Sequence, residues 1–175
     1  MDKLDIVTDE SGNKVVLLPE IIFSNKQNIN WDDVEDYLGK YVGELIEIAE
    51  TRDIIYIGNK FPDEYGGSSY TRKTKGARAK AKANAAQGIR EMVEIATDKV
   101  YRENHKEKHS EDAHNGWFYY VTRFAIPLYN NEKKTGEYNV YSACLVVNHA
   151  ANGKMYLYDV VDIKKEASNP LKTNK

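Results

Sequence analysis

Apolar and polar positions follow two rhythms along this chain, and they divide it. Val34, Leu38, Tyr41, Val42, Leu45, Ile48 and Ala49 recur at three- and four-residue steps, which predicts a helix to about Ala49. Asn30 or Asp32 serves as its cap, and Asp32, Asp33 and Glu35 suit the positive end of its dipole. A second helical stretch, rich in Ala and Lys, covers 76–87; Gly88 breaks it, and Ile89, Met92, Val93 and Ala96 predict a helix over 89–97. Past that point the pattern becomes strand-like. Strands are expected near 99–103, 116–128, 138–149 and 154–164, with turns at Asn130-Asn131, Thr135-Gly136 and Ala151-Asn152-Gly153.

Shorter features fill the remainder. Asp9 to Asn13 is turn-forming and predicts a small hairpin, with Val15–Leu18 and Ile21–Phe23 as a strand interrupted or ended at Pro19. Asp53–Ile57 is a short strand closed by Gly58-Asn59, and Phe61 to Ser69, with Pro62 and Gly66-Gly67, is expected to be a loop. The expected fold is therefore α+β: N-terminal helices followed by an antiparallel four-stranded β-meander. One domain over 1–175 is expected, with an acidic N-terminal segment over 1–71, a helix pair plus sheet over 72–168, and a frayed tail at 169–175.

Charge sharpens this division. The net charge of −2 conceals a balance of −9 over 1–71 (15 acidic, 6 basic), +6 over 72–109 (11 basic, 5 acidic) and +1 over 110–175 (8 basic, 7 acidic). An anionic partner is drawn to the middle segment. The single Cys144 excludes an internal disulfide and fits a reducing compartment. No apolar run approaches the ~18 residues of a membrane span, and no signal peptide is read at the start. A cytoplasmic protein without membrane association is expected.

Candidate chemistry gathers in two places. His105, His109 and His114 lie at spacings of four and five, with Lys106 and Lys108 among them, an arrangement unsuited to zinc, so no metal is expected. General acid–base chemistry fits better: Glu103, Lys108 and His109 supply base, acid and cation types, and Arg123 and Arg102 supply a phosphate clamp. A solvated polar loop is the competing reading. His149 ends a strand and either converges on the same face or simply borders a turn. The basic run Arg72, Lys73, Lys75, Arg78, Lys80 and Lys82, with no acid before Glu91, is either a phosphate-binding surface or a solvated helix face. Tyr101, Tyr119, Tyr120, Tyr141, Tyr156 and Tyr158 either stack bases or pack the core. No phosphate loop, dinucleotide fingerprint or nucleophile elbow is present, and no cofactor is expected.

Two segments resemble a family. Ala79-Lys80-Ala81-Lys82-Ala83-Asn84-Ala85-Ala86-Gln87-Gly88-Ile89 leads into Glu91–Ala96. Glu103-Asn104, Lys108-His109, Gly116-Trp117, Tyr119, Arg123-Phe124 and Lys154–Asp159 with Ile163–Glu166 then follow in order. In this the chain resembles domains associated with large polyvalent proteins of phages and conjugative elements, over about Asp9 to Leu171. Such domains are similar to the barnase–EndoU–colicin–RelE superfamily. The resemblance implies a barnase/RelE-like fold and a metal-independent ribonuclease. The expected function is acid–base cleavage of RNA by His109, Glu103, Lys108 and Arg123. The alternative is a non-catalytic phage module that binds host nucleic acid, a host protein complex or an inhibitor protein.

Overall fold

The computed structural model describes residues 3–24, 28–103, 115–166 and 170–173. Strand dominates, at 41% against 27% helix, in one curled mixed sheet of nine strands that forms a half-barrel. This corrects the expected fold of N-terminal helices plus a four-stranded antiparallel meander, and with it the barnase/RelE-like plan.

The strands are β1 (Ile6–Thr8), β2 (Lys14–Leu17), β3 (Leu45–Glu47), β4 (Ile54–Tyr56), β5 (Thr97–Arg102), β6 (Trp117–Asn130), β7 (Lys133–His149), β8 (Met155–Lys165) and β9 (Leu171–Lys172). The order is β1-β2-β6-β7-β8-β4-β3, with β5 also on β6 and β9 also on β7. Four predicted strands do pair antiparallel in sequence, β5 with β6, β6 with β7 and β7 with β8. What changes the architecture is parallel pairing on both sides of them, β2 against β6 at Val16↔Phe124 and β4 against β8 at Tyr56↔Tyr156. Each parallel partner brings its own antiparallel neighbour, β1 or β3, so the two short N-terminal hairpins complete the half-barrel.

The turns follow from local chemistry. Asn131 and Glu132 both take positive φ, at 50° and 68°, as a two-residue turn matched to strand twist requires. The β7–β8 turn closes with the Gly153 amide donating to the Ala150 carbonyl, and Gly153 sits at φ 84°.

Helices α1 (Trp31–Leu38), α2 (Phe61–Gly67), α3 (Ser69–Lys73), α4 (Gly76–Ala85) and α5 (Ile89–Glu94) accompany the sheet. Asn30 caps α1 by accepting from the Asp32 and Asp33 amides. The helix predicted to reach Ala49 instead stops after a single 3₁₀ turn, Gly39–Tyr41. Gly43 takes φ 94°, and Leu45 to Ile48 then alternate exposed and buried as a strand does. The predicted loop at Phe61–Ser69 is α2 and the start of α3. Its Gly66 lies beneath Glu35 of α1, so close that an added Cβ would stand 2.4 Å from Glu35 Oε2.

The core lies between the sheet and α1, α2, α4 and α5. Ala81, Ala83, Ala85 and Ala86 are fully buried, small enough to let α4 approach the sheet. Tyr41 Oη donates to the Ala86 carbonyl at 2.7 Å, and Thr122 Oγ1 to the Met92 carbonyl at 2.7 Å. Ile21–Phe23, read as a strand interrupted or ended at Pro19, forms no strand, and Glu20–Phe23 is held by side chains. Asn84 Oδ1 accepts from the Ile22 amide at 2.8 Å, Asn84 Nδ2 donates to the Phe23 carbonyl at 2.9 Å, and Gln87 Nε2 donates to the Glu20 carbonyl at 2.9 Å. Two buried amides of the helix thus supply ladder bonds that a strand neighbour otherwise gives.

Candidate nucleic-acid interface

The Ala/Lys helix does not present one face to water. Gly76, Ala77, Arg78 and Lys80 are exposed, whereas Ala79 and every residue from Ala81 to Ala85 are buried. Arg72 and Lys73 in the last turn of α3, Lys75 at the α4 cap, and Arg78 and Lys80 on its exposed turns are all solvent-exposed. No described acidic side chain forms an ion pair with any of the five. Since Arg78 and Lys80 are about 200° apart around the helix, the five make a basic collar rather than a flat stripe.

Lys82, predicted to belong to the same surface, is fully buried, which corrects that assignment. Its Nζ donates to Asp159 Oδ1 at 2.7 Å and to Thr71 Oγ1 at 2.6 Å, and lies 4.6 Å from the Tyr65 ring centre and 5.0 Å from that of Tyr70. Tyr65 Oη donates to the Lys82 carbonyl. Burial pushes the Lys82 ammonium pKa down and the Asp159 carboxyl pKa up, and each charge opposes that shift in its partner. A cation two turns inside an alanine helix gives no local sign of burial; the one available sign is that it follows Ala79 and Ala81 into an apolar run.

Of the predicted catalytic residues, Glu103 and Arg123 lie apart on the sheet. Lys108 and His109, with His105 and His114, lie outside the described residues. Glu103 is exposed just beyond β5, and Arg102 ends that strand, its guanidinium carbon 5.5 Å from the Tyr119 ring centre. Gly116 closes against this end at φ 98°, where an added Cβ would stand 2.7 Å from the Arg102 carbonyl oxygen. His149 exchanges backbone bonds with Asn115 and Gly116 and lies 5.5 Å, ring centre to ring centre, from Phe118. So Arg102, Glu103 and His149 share one end of the sheet. Arg123 does not join them. It stands six residues along β6 from Trp117, the partner of Arg102, which is about 20 Å of strand, and its Nε donates to Glu166 Oε1 at 2.8 Å.

The tyrosines divide by face. Tyr120 and Tyr141 are buried on the helix-covered side, and Tyr120 Oη donates to Asp53 Oδ2 at 2.8 Å. Burial lifts the Tyr120 hydroxyl pKa, whereas Lys99, 2.9 Å away, helps hold the Asp53 pKa low against its own desolvation. Tyr119, Tyr156 and Tyr158 take the opposite side and are half-buried. There the ring pairs Tyr56–Tyr156 and Trp117–Tyr158 lie 5.6 and 5.0 Å apart, and Lys154 Nζ is 4.9 Å from the Tyr56 ring centre. Among the described residues no cluster of His, Cys, Asp and Glu is arranged to hold a metal ion, and no described helix is long and apolar enough to cross a membrane. No family model, no curated protein and no solved structure matches this chain.

Proposed function

We propose that this chain binds single-stranded RNA in a cell's cytoplasm, with the collar on α3 and α4 holding the phosphates. The observation that carries this reading is the collar itself: five exposed cations within nine residues, none ion-paired to a described acid, in a protein whose net charge is −2. An unpaired cation stays available to displace counterions from a phosphate backbone. The aromatic rings on the uncovered sheet face add the stacking surface that single strands use. The resemblance to polyvalent-protein domains of phages and mobile elements agrees with a host RNA as the partner.

The test is fluorescence anisotropy with a labelled single-stranded RNA across a salt series. Five phosphate contacts predict a log–log salt slope of about −3.5. A slope near zero, or no binding at low salt, rejects the proposal and leaves a protein partner as the better reading.

Cleavage is a second reading, favoured by Arg102, Glu103 and His149 sharing the sheet end from which residues 104–114 depart. In it Glu103, Lys108 and His109 perform acid–base cleavage with Arg102 against the phosphate; Arg123, about 20 Å of strand from Arg102 and paired with Glu166, is left out. Incubating RNA with the protein in EDTA tests it. Cleavage that disappears in His109→Ala supports it, and intact RNA, or full activity in that variant, rejects it.

A further inference from the structure

A cavity of about 330 Å³ opens where β4 parts from β8. β4 pairs with β8 only through Met155 and Tyr156, and the loop Gly58–Lys60 then leads away into α2, leaving the next stretch of β8 uncovered. Tyr156 and Tyr158 line this gap, together with Asn59, Lys60, Glu64 and Asn148 and the core residues Phe61 and Leu157. Strand alternation sends Leu157 and Asp159 into the core and both tyrosines to the other side. Each ring is fixed by a neighbour, Tyr156 by Tyr56 and Tyr158 by Trp117, so stacking on them requires little further ordering. Gly58 keeps the mouth open, since a Cβ there would stand 3.3 Å from Tyr156 Cδ2.

The polar groups define what fits. Glu64 offers a carboxylate, which accepts hydrogen bonds. The side-chain oxygen of Asn148 is buried with no hydrogen-bond partner among the described residues. An unsatisfied acceptor of this kind is costly, and Asn148 is part of the cavity lining. The Glu64 carboxylate and the Asn148 oxygen beside two tyrosine rings suit a flat ring carrying N–H donors, with Lys60 and Asn59 also in the lining to meet that ring's acceptors. The volume is at the small end of ligand sites, enough for one base and not for an extended ligand. Glu64 and Arg72 are eight residues apart on consecutive short helices, within about 15 Å of each other by helical rise. A strand with its phosphates on the collar therefore reaches the cavity.

We infer that this cavity receives one unpaired base bearing an exocyclic amine, stacked on Tyr156 and Tyr158 and hydrogen-bonded to Glu64 and Asn148. The inference rests on the RNA-binding reading and adds base selection to it.

The experiment compares AGAGAGAG and UUUUUUUU ribo-octamers by anisotropy at one salt concentration, since uracil has no exocyclic amine. Wild type is expected to bind the purine octamer about tenfold more tightly, the difference one good base contact set makes. Glu64→Gln and Gly58→Ala, each checked for folding by circular dichroism, are expected to bring the ratio within about twofold while leaving the pyrimidine octamer's affinity unchanged. Substituting Arg72 and Lys73 by Gln is expected to weaken both octamers equally and keep the ratio. Equal wild-type affinities, or a purine preference that survives both cavity variants, overturn the inference while RNA binding stands. Failure of both octamers to bind overturns the RNA reading and this one with it.

Discussion

The two halves of α4 carry the same residue types into opposite surroundings. Arg78 and Lys80 extend into water from its first turns, whereas Lys82, on the next, sits at 0% exposure against Asp159. The exposed cations cost nothing to hold and contribute little to stability, which leaves them available for a partner. The buried one is fixed by its carboxylate, a hydroxyl and two aromatic rings, and removing one member leaves an uncompensated charge in the core. Lys is therefore a binding residue or a structural one according to how deep its turn lies.

The sharpest way to break this contrast is Lys82→Ala, which strands Asp159. It is expected to destabilise the fold by about 3–5 kcal/mol, read by chemical denaturation. The double change Lys82→Met with Asp159→Leu is expected to recover most of that loss. A small loss in Lys82→Ala means that the pair is not a structural element.

Replacing Arg72, Lys73, Lys75, Arg78 and Lys80 together by Gln probes the opposite half. Stability is expected to stay within about 0.5 kcal/mol of wild type. On the RNA-binding proposal, wild-type affinity is expected to fall about hundredfold between about 50 and 200 mM salt, and the variant is expected to lose nearly all that salt dependence.

Glu35 supplies the acidic counterpart. It sits over Gly66 between α1 and α2, desolvated and beside Asp63, with Asp32 and Asp36 adding repulsion, and its pKa is pushed up to about 7 from the ordinary carboxyl value of 4.5. A carboxyl whose folded pKa is raised binds more protons when folded, so stability declines as pH rises from about 4.5 to about 7 and the full penalty holds above that. Glu35→Gln is expected to stabilise the protein at pH 8 by about 1 kcal/mol, after allowance for solvent screening. That corresponds to a Tm rise of about 2–4 °C, with no gain at pH 4. An equal gain at both pH values contradicts the assignment.

Arg123→Ala lies between the extremes, since its pairing with Glu166 is half-exposed. It is expected to cost about 0–1 kcal/mol and leave RNA affinity unchanged, measured in the same titrations. A large loss of affinity returns Arg123 to the binding site.

Much of the local structure was legible because its causes are local. Strands β5 to β8 lie within a few residues of their expected bounds, except that β7 begins earlier, at Lys133. Asn30 caps α1, and Gly153 closes the β7–β8 turn. The basic run was legible as charge. The errors share a different origin. Val42, Leu45 and Ile48 fit a helical step while Ile46 and Ile48 fit a strand, and Gly43 with the β4 partner decides for strand, leaving Leu45 exposed. Gly66-Gly67 argued for a loop, yet the close approach of Glu35 makes Gly66 suitable inside a helix.

By itself, the sequence determined where charge collects, which segments alternate as strands and which residue types are available for phosphate and base contact. Those properties belong to single residues and their near neighbours. Only the tertiary structure decided that β2 and β4 join the meander in parallel, that Lys82 leaves the basic surface for Asp159, and that Arg123 stands about 20 Å of strand from Arg102. Parallel pairing, burial and convergence each depend on residues distant in the chain, 77 positions apart for Lys82 and Asp159, and no local pattern encodes which of them meet.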